Sequence, residues 1–280
     1  MQHATDSPGT VKHLDHFGLP AADTERAEKF YTEVFGSKVI VKGPCLEGRG
    51  ARVFIKLGQN HIGLFSESGV SIPKVETVDS YPRYAFVVPS ADFADITVRV
   101  ENHSSLLEPI KVDKASVACG LRRGIIFADS EGNLIELFSG DHERTIRLHH
   151  VHLDTLDLDA SIPFYNEILN LEIISREADT VALRVAEDQR VVMHQVKELS
   201  KITKTPYLER HLGFTVTSED FRAIVEKLAK SQIETRANLT LIVPRKENEL
   251  TTYFKDPTNG FELQIINQDS EAFTRSRSQP

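Results

Sequence analysis

Apolar and polar residues follow the same change of period at several places along the chain. In the segment RLHHVHLDT the residues alternate as in a strand, with His150 and His152 on one side and His149 on the other. A turn rich in aspartate follows, and then apolar residues recur at helical spacing, among them Phe164 and Tyr165. This pattern predicts a strand followed by a helix.

The pattern of residues 147–169 occurs once before, at residues 13–35. Placing His150 on His16 places Phe164 on Phe30 without a gap, since 150 − 16 and 164 − 30 are both 134. The chain is therefore a tandem repeat, and each repeat opens with a strand and a helix.

Four units of similar layout are predicted, each a strand, a helix and then about three strands (βαβββ). Strands are predicted at residues 12–19, 38–41, 51–57, 61–66, 83–88, 190–196 and 211–216, helices at 24–35, 91–100 and 219–230, and closing hairpins at 124–138 and 251–266. We expect consecutive units to pair, which gives two halves at residues 11–140 and 145–268. The segments 1–10 and 269–280 are polar and aperiodic, and we expect them to be disordered.

Composition narrows the class of protein. The 280 residues are 40% hydrophobic and 26% charged, as in soluble globular proteins. We find no apolar run near the roughly 18 residues that cross a bilayer, and no signal-peptide pattern in the first ten residues. The net charge of −8, without a basic stripe, argues against a nucleic-acid partner. Cys45 and Cys119 lie far from any metal or redox spacing. We therefore expect a cytoplasmic protein that binds neither membranes nor nucleic acid.

Three pairs of motifs carry a family resemblance: LDHFGL with LHHVHL at strand starts, FYTEVFG with FYNEILN on helices, and DSEGNLIEL with DPTNGFEL at closing hairpins. Their order resembles the vicinal oxygen chelate superfamily, which includes glyoxalases, bleomycin-resistance proteins and extradiol ring-cleaving dioxygenases. The resemblance implies an α+β fold of four βαβββ units, paired into two tandem domains with curved mixed sheets. The chain is similar in particular to the two-domain type I extradiol dioxygenases, in which a metal-free N-terminal domain precedes a C-terminal domain with iron.

Ligands follow from this resemblance by position. Carried onto the second half, the family's ligand positions fall on His150, His211 and Glu262. Two imidazoles and one carboxylate bind one face of an octahedral metal and leave sites for substrate and O₂. The assignment of Glu262 as a ligand requires a one-residue deletion in the hairpin DPTNGFEL, and Gln264 is the alternative ligand on this strand. His152 lies on the same face of the strand as His150 and is the alternative to it as a metal ligand.

The first half shows a different set at these positions, namely His16, Arg83 and Glu136. Arginine stays protonated and cannot ligate a metal in practice, so we expect no metal there. A metal site formed by His61 together with His16 and Glu136 stays open as an alternative.

Catalytic roles are likewise implied by the resemblance. Tyr253, in the setting TTYFKDP, matches the tyrosine of the ring-cleaving enzymes, and His194 lies near their acid–base histidine. Where those enzymes often carry a further histidine, this chain has Pro244, which leaves the substrate open.

The implied function is that of a non-haem Fe(II)-dependent extradiol (catechol 2,3-type) dioxygenase, which incorporates both atoms of O₂ into a catechol-like aromatic diol. Mn(II) accepts the same ligands. Two alternatives stay open: a glyoxalase-like isomerase or lyase that uses Ni(II), Zn(II) or Mn(II), and a metal-free small-molecule-binding protein of the resistance type. Because related folds often form dimers, a homo-oligomer also stays open.

Overall fold

The computed structural model describes residues 9–45, 48–72, 77–104, 106–112, 120–186, 188–200, 210–236 and 251–269. Cys119, Pro244 and nearly all of both segments predicted to be disordered lie outside the described residues. No helix among those described is long and apolar enough to span a membrane.

The first two units contain eight strands and two helices. The first comprises β1 (His13–Pro20), α1 (Thr24–Phe35), β2 (Lys38–Cys45), β3 (Gly50–Leu57) and β4 (Asn60–Glu67). The second comprises β5 (Arg83–Pro89), α2 (Phe93–His103), β6 (Leu107–Ile110), β7 (Leu121–Ala128) and β8 (Leu134–Gly140).

The last two units repeat this order. The third comprises β9 (Arg147–Thr155), α3 (Leu158–Pro163) with a π-helical turn at Phe164–Ile168, β10 (Glu172–Arg176), β11 (Thr180–Ala186) and β12 (Gln189–Gln195). The fourth comprises β13 (His211–Val216), α4 (Ser218–Lys230), β14 (Thr235–Arg236), β15 (Thr251–Lys255) and β16 (Glu262–Asn267). The α+β class and the four-unit layout are thus confirmed.

Local signals explain where helix α1 begins and ends. The Asp23 carboxylate accepts hydrogen bonds from the first backbone N–H groups of the helix, and Gly36 ends it with a φ of 64°. Its buried stripe includes Phe30 and Tyr31. In the third unit, Pro163 cannot donate a backbone hydrogen bond, and there the α-helix gives way to the π-helical turn.

Two eight-stranded mixed sheets form the molecule. The first sheet has the order β14-β15-β16-β13-β1-β4-β3-β2, and the second has the order β10-β11-β12-β9-β5-β8-β7-β6. At the centre of each sheet, two first strands pair in antiparallel fashion, β1 with β13 and β5 with β9. The first unit therefore shares a sheet with the fourth, and the second with the third.

This pairing corrects our expectation that consecutive units within each half close one sheet. The link between β8 and β9 is only residues 141–146, and these two strands flank β5 in the second sheet. Strands two places apart lie about 9.5 Å from each other, which six residues span easily. The repeat pattern predicts the strands but does not indicate which units pair with each other through their first strands.

Buried contacts join the two sheets. Phe17 of the first sheet stacks on Tyr84 of the second, with ring centroids 4.3 Å apart, and one apolar core continues through both. The side chain of Asn60 donates to the carbonyl of Leu14 and accepts from the amide of Leu148, each at 2.9 Å. The orientation of one central strand pair relative to the other is thus fixed by core packing and by side-chain hydrogen bonds.

A β-bulge stands at the same place in both β1 and β9, just before His16 and just before His150. A bulge brings two successive residues to one side of the strand. Accordingly, His16 Nδ1 lies 2.9 Å from Asp15 Oδ2, and His150 Nδ1 lies 2.7 Å from His149 Nδ1. The prediction that His149 faces away from His150 is therefore wrong.

Candidate metal centre

Glu136, His150 and His152, here called the β5–β9 cluster, converge on the second sheet. His150 Nε2 lies 2.9 Å from His152 Nε2, and each of these atoms lies 3.4 Å from Glu136 Oε2. Ligands bound at about 2.1 Å to one tetrahedral or octahedral ion lie about 3.0–3.4 Å apart. The three donor atoms thus have the mutual spacing of ligands on one ion, and they fit a two-histidine, one-carboxylate set.

Burial and neighbouring groups set the charges of Glu136 and His150 in this cluster. Burial alone would raise the pKa of Glu136, but His152 and His150 hold that pKa well below its ordinary value. Burial lowers the pKa of His150 to about 4. At neutral pH the carboxylate is therefore charged and His150 is neutral, which are the protonation states that metal ligands need.

His149 and Arg190 decide which nitrogen of His150 carries its proton. Arg190 Nη1 lies 3.2 Å from His149 Nε2. Because arginine only donates, the proton of neutral His149 stands on Nδ1, from which it is donated to His150 Nδ1. His150 then carries its own proton on Nε2, facing Glu136, and metal binding through Nε2 requires that this proton move to Nδ1, with His149 accepting there instead of donating.

Three further side chains surround the cluster. His194 Nε2 lies 2.6 Å from His152 Nδ1, and Tyr81 stacks on His194 with ring centroids 4.8 Å apart. Arg83 Nε lies 3.3 Å from Glu136 Oε1, and its guanidinium lies over the Tyr81 ring. Arg83 therefore offsets the charge of the carboxylate without being a ligand.

A second group, here called the β1–β13 cluster, consists of His16, His211 and Gln264 in the first sheet. His16 Nε2 lies 3.1 Å from His211 Nε2 and 3.0 Å from Gln264 Oε1. All three side chains are buried, and His61 on β4 stands in register with His16. Burial lowers the pKa of His16 to about 4.

The three ligands predicted from sequence do not meet. His150 lies in the second sheet, whereas His211 and Glu262 lie in the first. Glu262 is bound instead by Arg236, whose Nε lies 3.0 Å from Glu262 Oε1. The cause is the crosswise pairing of units, which places the first strands of the third and fourth units in different sheets.

The deletion that we placed before Glu262 is also not what the structure shows. The backbone bond that closes the hairpin joins Asp129 N to the oxygen of Asn133, but Asp256 N to the oxygen of Phe261. The second hairpin is therefore one residue longer, not shorter. As a result Gln264 takes the register position that Glu136 has in the other sheet.

The two predicted catalytic residues are separated in the same way. His194 adjoins the β5–β9 cluster, whereas Tyr253 packs on His211 in the first sheet, with ring centroids 5.3 Å apart. Tyr253 also lines a cavity of about 430 Å³, together with Arg236 and Glu262. Glu136 and His152 were visible in the sequence, but their meeting depends on the pairing of β5 with β9.

Comparison with known proteins places the chain in a family. The model of the Glyoxalase/Bleomycin resistance protein/Dioxygenase superfamily matches residues 13–137 and 147–265. The chain belongs to this superfamily.

Similar solved structures share the whole two-sheet fold. A "putative dioxygenase" from Bacillus subtilis superposes with a TM-score of 0.71 at 14% identity, over 93% of this chain and 86% of that one. Glyoxalase I from Zea mays gives a TM-score of 0.63 at 18% identity, over 92% of each chain.

The metallothiol transferase FosB of Staphylococcus epidermidis is similar in sequence to part of the chain. It is 24% identical over 119 residues, which are 42% of this chain and 79% of FosB.

Proposed function

We propose that the chain is a non-haem Fe(II)-dependent extradiol dioxygenase, with its iron held by Glu136, His150 and His152. The observation that supports this is the convergence of one carboxylate and two imidazole donor atoms within 3.4 Å of one another. Two histidines and one carboxylate on one face, with other positions open, form the ligand set of non-haem Fe(II) oxygenases. The superfamily to which the chain belongs includes dioxygenases by name.

Bound Fe(II) would supply the electron chemistry and the open coordination positions for a catechol-like diol and O₂. The protein's own side chains then orient the ligands. His194 holds the imidazole of His152 through Nδ1, so that Nε2 faces Glu136. The cation of Arg83 beside the carboxylate favours a substrate that binds as an anion, as a deprotonated diol does.

The acid–base role of His194 is part of this proposal, and the contacts of its two ring nitrogens bear on which atom would carry it. Its Nε2 is engaged with His152, while Nδ1 lies 3.4 Å from Thr180 Oγ1, a weak contact. With His152 bound through Nε2, its proton stands on Nδ1 and is donated to His194 Nε2, so neutral His194 carries its own proton on Nδ1 and would act there as a proton donor. Tyr253 lies in the other sheet, and this proposal assigns it no role.

Anaerobic loading with Fe(II), followed by O₂ uptake on a panel of catechols and hydroquinones, tests the proposal. We expect diol-dependent O₂ uptake with a coloured ring-opened product, and its loss in Glu136→Ala. Glu262→Ala is the matched control, since that carboxylate binds Arg236 instead. Bound metal without O₂ uptake on any diol would contradict the dioxygenase and favour an isomerase or lyase. Uptake that survives Glu136→Ala would contradict the site.

A further inference from the structure

Arg83 lies beside the carboxylate of the β5–β9 cluster without pairing with it fully. Its Nε lies 3.3 Å from Glu136 Oε1 but outside hydrogen-bond geometry, and this buried N–H has no other acceptor among the described residues. A buried donor without an acceptor costs free energy. Another contact must therefore hold the guanidinium in this place.

Other arginine–glutamate pairs of the described chain form a closer, bidentate pair. In three of them two guanidinium nitrogens donate to the carboxylate oxygens at 2.5–3.0 Å, namely Arg26 with Glu131, Arg147 with Glu143 and Arg236 with Glu262. This geometry is the strong form of the pair. A bidentate pair between Arg83 and Glu136 would occupy the carboxylate oxygens that a metal ion needs.

The ring of Tyr81 is the contact that holds Arg83. The guanidinium lies 4.7 Å from the ring centroid, within the range of a cation–π interaction. The same ring stacks on His194, with centroids 4.8 Å apart and planes 20° from parallel. Tyr81 N donates to Ser200 Oγ at 3.0 Å, and Ser200 N donates to Asp154 Oδ2. The position of the ring is therefore fixed by groups other than Arg83.

The first sheet shows that a ring alone does not prevent a bidentate pair. Arg236 lies 4.4 Å from the centroid of the Tyr253 ring and still donates twice to Glu262. What differs at Arg83 is the place of the ring, which His194 and Ser200 determine.

We propose that Tyr81 is a positioning residue, which holds Arg83 away from a bidentate pair with Glu136 and so leaves this carboxylate to a divalent metal ion. The inference rests on the proposed function, because it concerns the same ligands. Without the ring, the guanidinium turns onto Glu136, and a metal ion must compete with it for the oxygens. The contacts with Arg83 and His194 are made by the aromatic ring, so phenylalanine can replace tyrosine here.

Equilibrium dialysis of the metal-free protein against Co²⁺ tests the proposal without an enzyme assay. Binding that survives in Glu136→Ala is subtracted, so that only the β5–β9 cluster is measured. We expect Tyr81→Leu to raise the Kd roughly 2–30-fold, as the loss of one cation–π contact implies, and Tyr81→Phe to restore tight binding. Tyr253→Leu is the matched control and should leave this Kd unchanged, since that ring lies under Arg236 in the other sheet.

A double-mutant cycle with Arg83→Met distinguishes positioning of Arg83 from general support of the fold. If Tyr81 acts through Arg83, Tyr81→Leu has no further effect on the Kd in the Arg83→Met background. An equal rise of the Kd in both backgrounds would overturn the proposal. Circular dichroism of each variant establishes that it is folded.

Proton NMR of the metal-free protein gives a second readout, which does not depend on the proposed function. The ring current of residue 81 should shift the Arg83 Nε–H proton upfield in the unsubstituted protein and in Tyr81→Phe. In Tyr81→Leu this proton should move downfield, because it then donates to Glu136. One unchanged shift in all three proteins would overturn the proposal. The expected shifts without any Glu136-dependent Co²⁺ binding would support the placement of Arg83 by Tyr81 and contradict the iron site.

Discussion

The crosswise pairing of units is open to a direct test by engineered disulfides. In the structure His13 of β1 stands opposite Thr215 of β13. If consecutive units paired instead, the partner of His13 would be Val87, the position of β5 that corresponds to Thr215. Two double variants, His13→Cys with Thr215→Cys and His13→Cys with Val87→Cys, therefore distinguish the arrangements. Both need a background with Cys45→Ala and Cys119→Ala.

The expected magnitude follows from the length of chain that the bond closes. A cross-link over about 200 residues stabilises the folded state by about 5 kcal/mol in the loop-closure model. Comparison of the oxidised with the reduced form of one double variant removes the cost of the substitutions themselves. We expect a clear rise in the urea midpoint on oxidation of the 13–215 variant.

Mass spectrometry of peptides from the oxidised proteins identifies the bond, and urea unfolding measures its effect. The structure predicts a quantitative disulfide in the 13–215 variant and none in the 13–87 variant. The reverse result would show that consecutive units share a sheet, and the β5–β9 cluster would then not exist as described.

Further predictions concern the two clusters. Burial lowers the pKa of both His16 and His150 from 6.5 to about 4, so the unfolded state binds more protons between these values. The free energy of unfolding of the metal-free protein should therefore fall as the pH drops from about 6.5 to about 4. Urea titrations at several pH values measure this dependence. A free energy of unfolding that stays constant over this range would show that the two imidazoles are exposed. Arg190→Leu should tighten metal binding at the β5–β9 cluster several-fold, because His149 can then accept the proton of His150; an unchanged Kd would contradict the tautomer assignment. Tyr253→Phe should leave kcat for diol-dependent O₂ uptake within about twofold of that of the unsubstituted protein. A large loss would indicate that the reaction takes place in the first sheet.

Much of the fold could be predicted from the sequence because its signals are local. Helix α1 and strand β13 have the bounds that apolar spacing and the residues before and after them predict. The apolar stripe of α1 and its Asp23 cap lie within a few residues of each other. Local patterns of this kind do not depend on which distant strand becomes a neighbour.

The site could be predicted only in part, because it depends on non-local pairing and on single-residue shifts. His150 and His194 were both assigned to the site from the sequence, and both lie beside His152 in the structure, but the carboxylate next to them comes from the second unit. One extra residue in the last hairpin changes which side chain of β16 takes the ligand register, as a one-residue slip always does in a strand. The bulge before His150 likewise brings the imidazole of His149 against that of His150, contrary to simple alternation.

Anomalous diffraction at the iron edge, from crystals grown anaerobically with Fe(II), tests the central claim most directly. We predict an iron peak within about 2.2 Å of Glu136 Oε2, His150 Nε2 and His152 Nε2. An iron peak at Glu262, or diffraction without any iron peak beside Glu136, would contradict the assignment of this cluster as the metal centre.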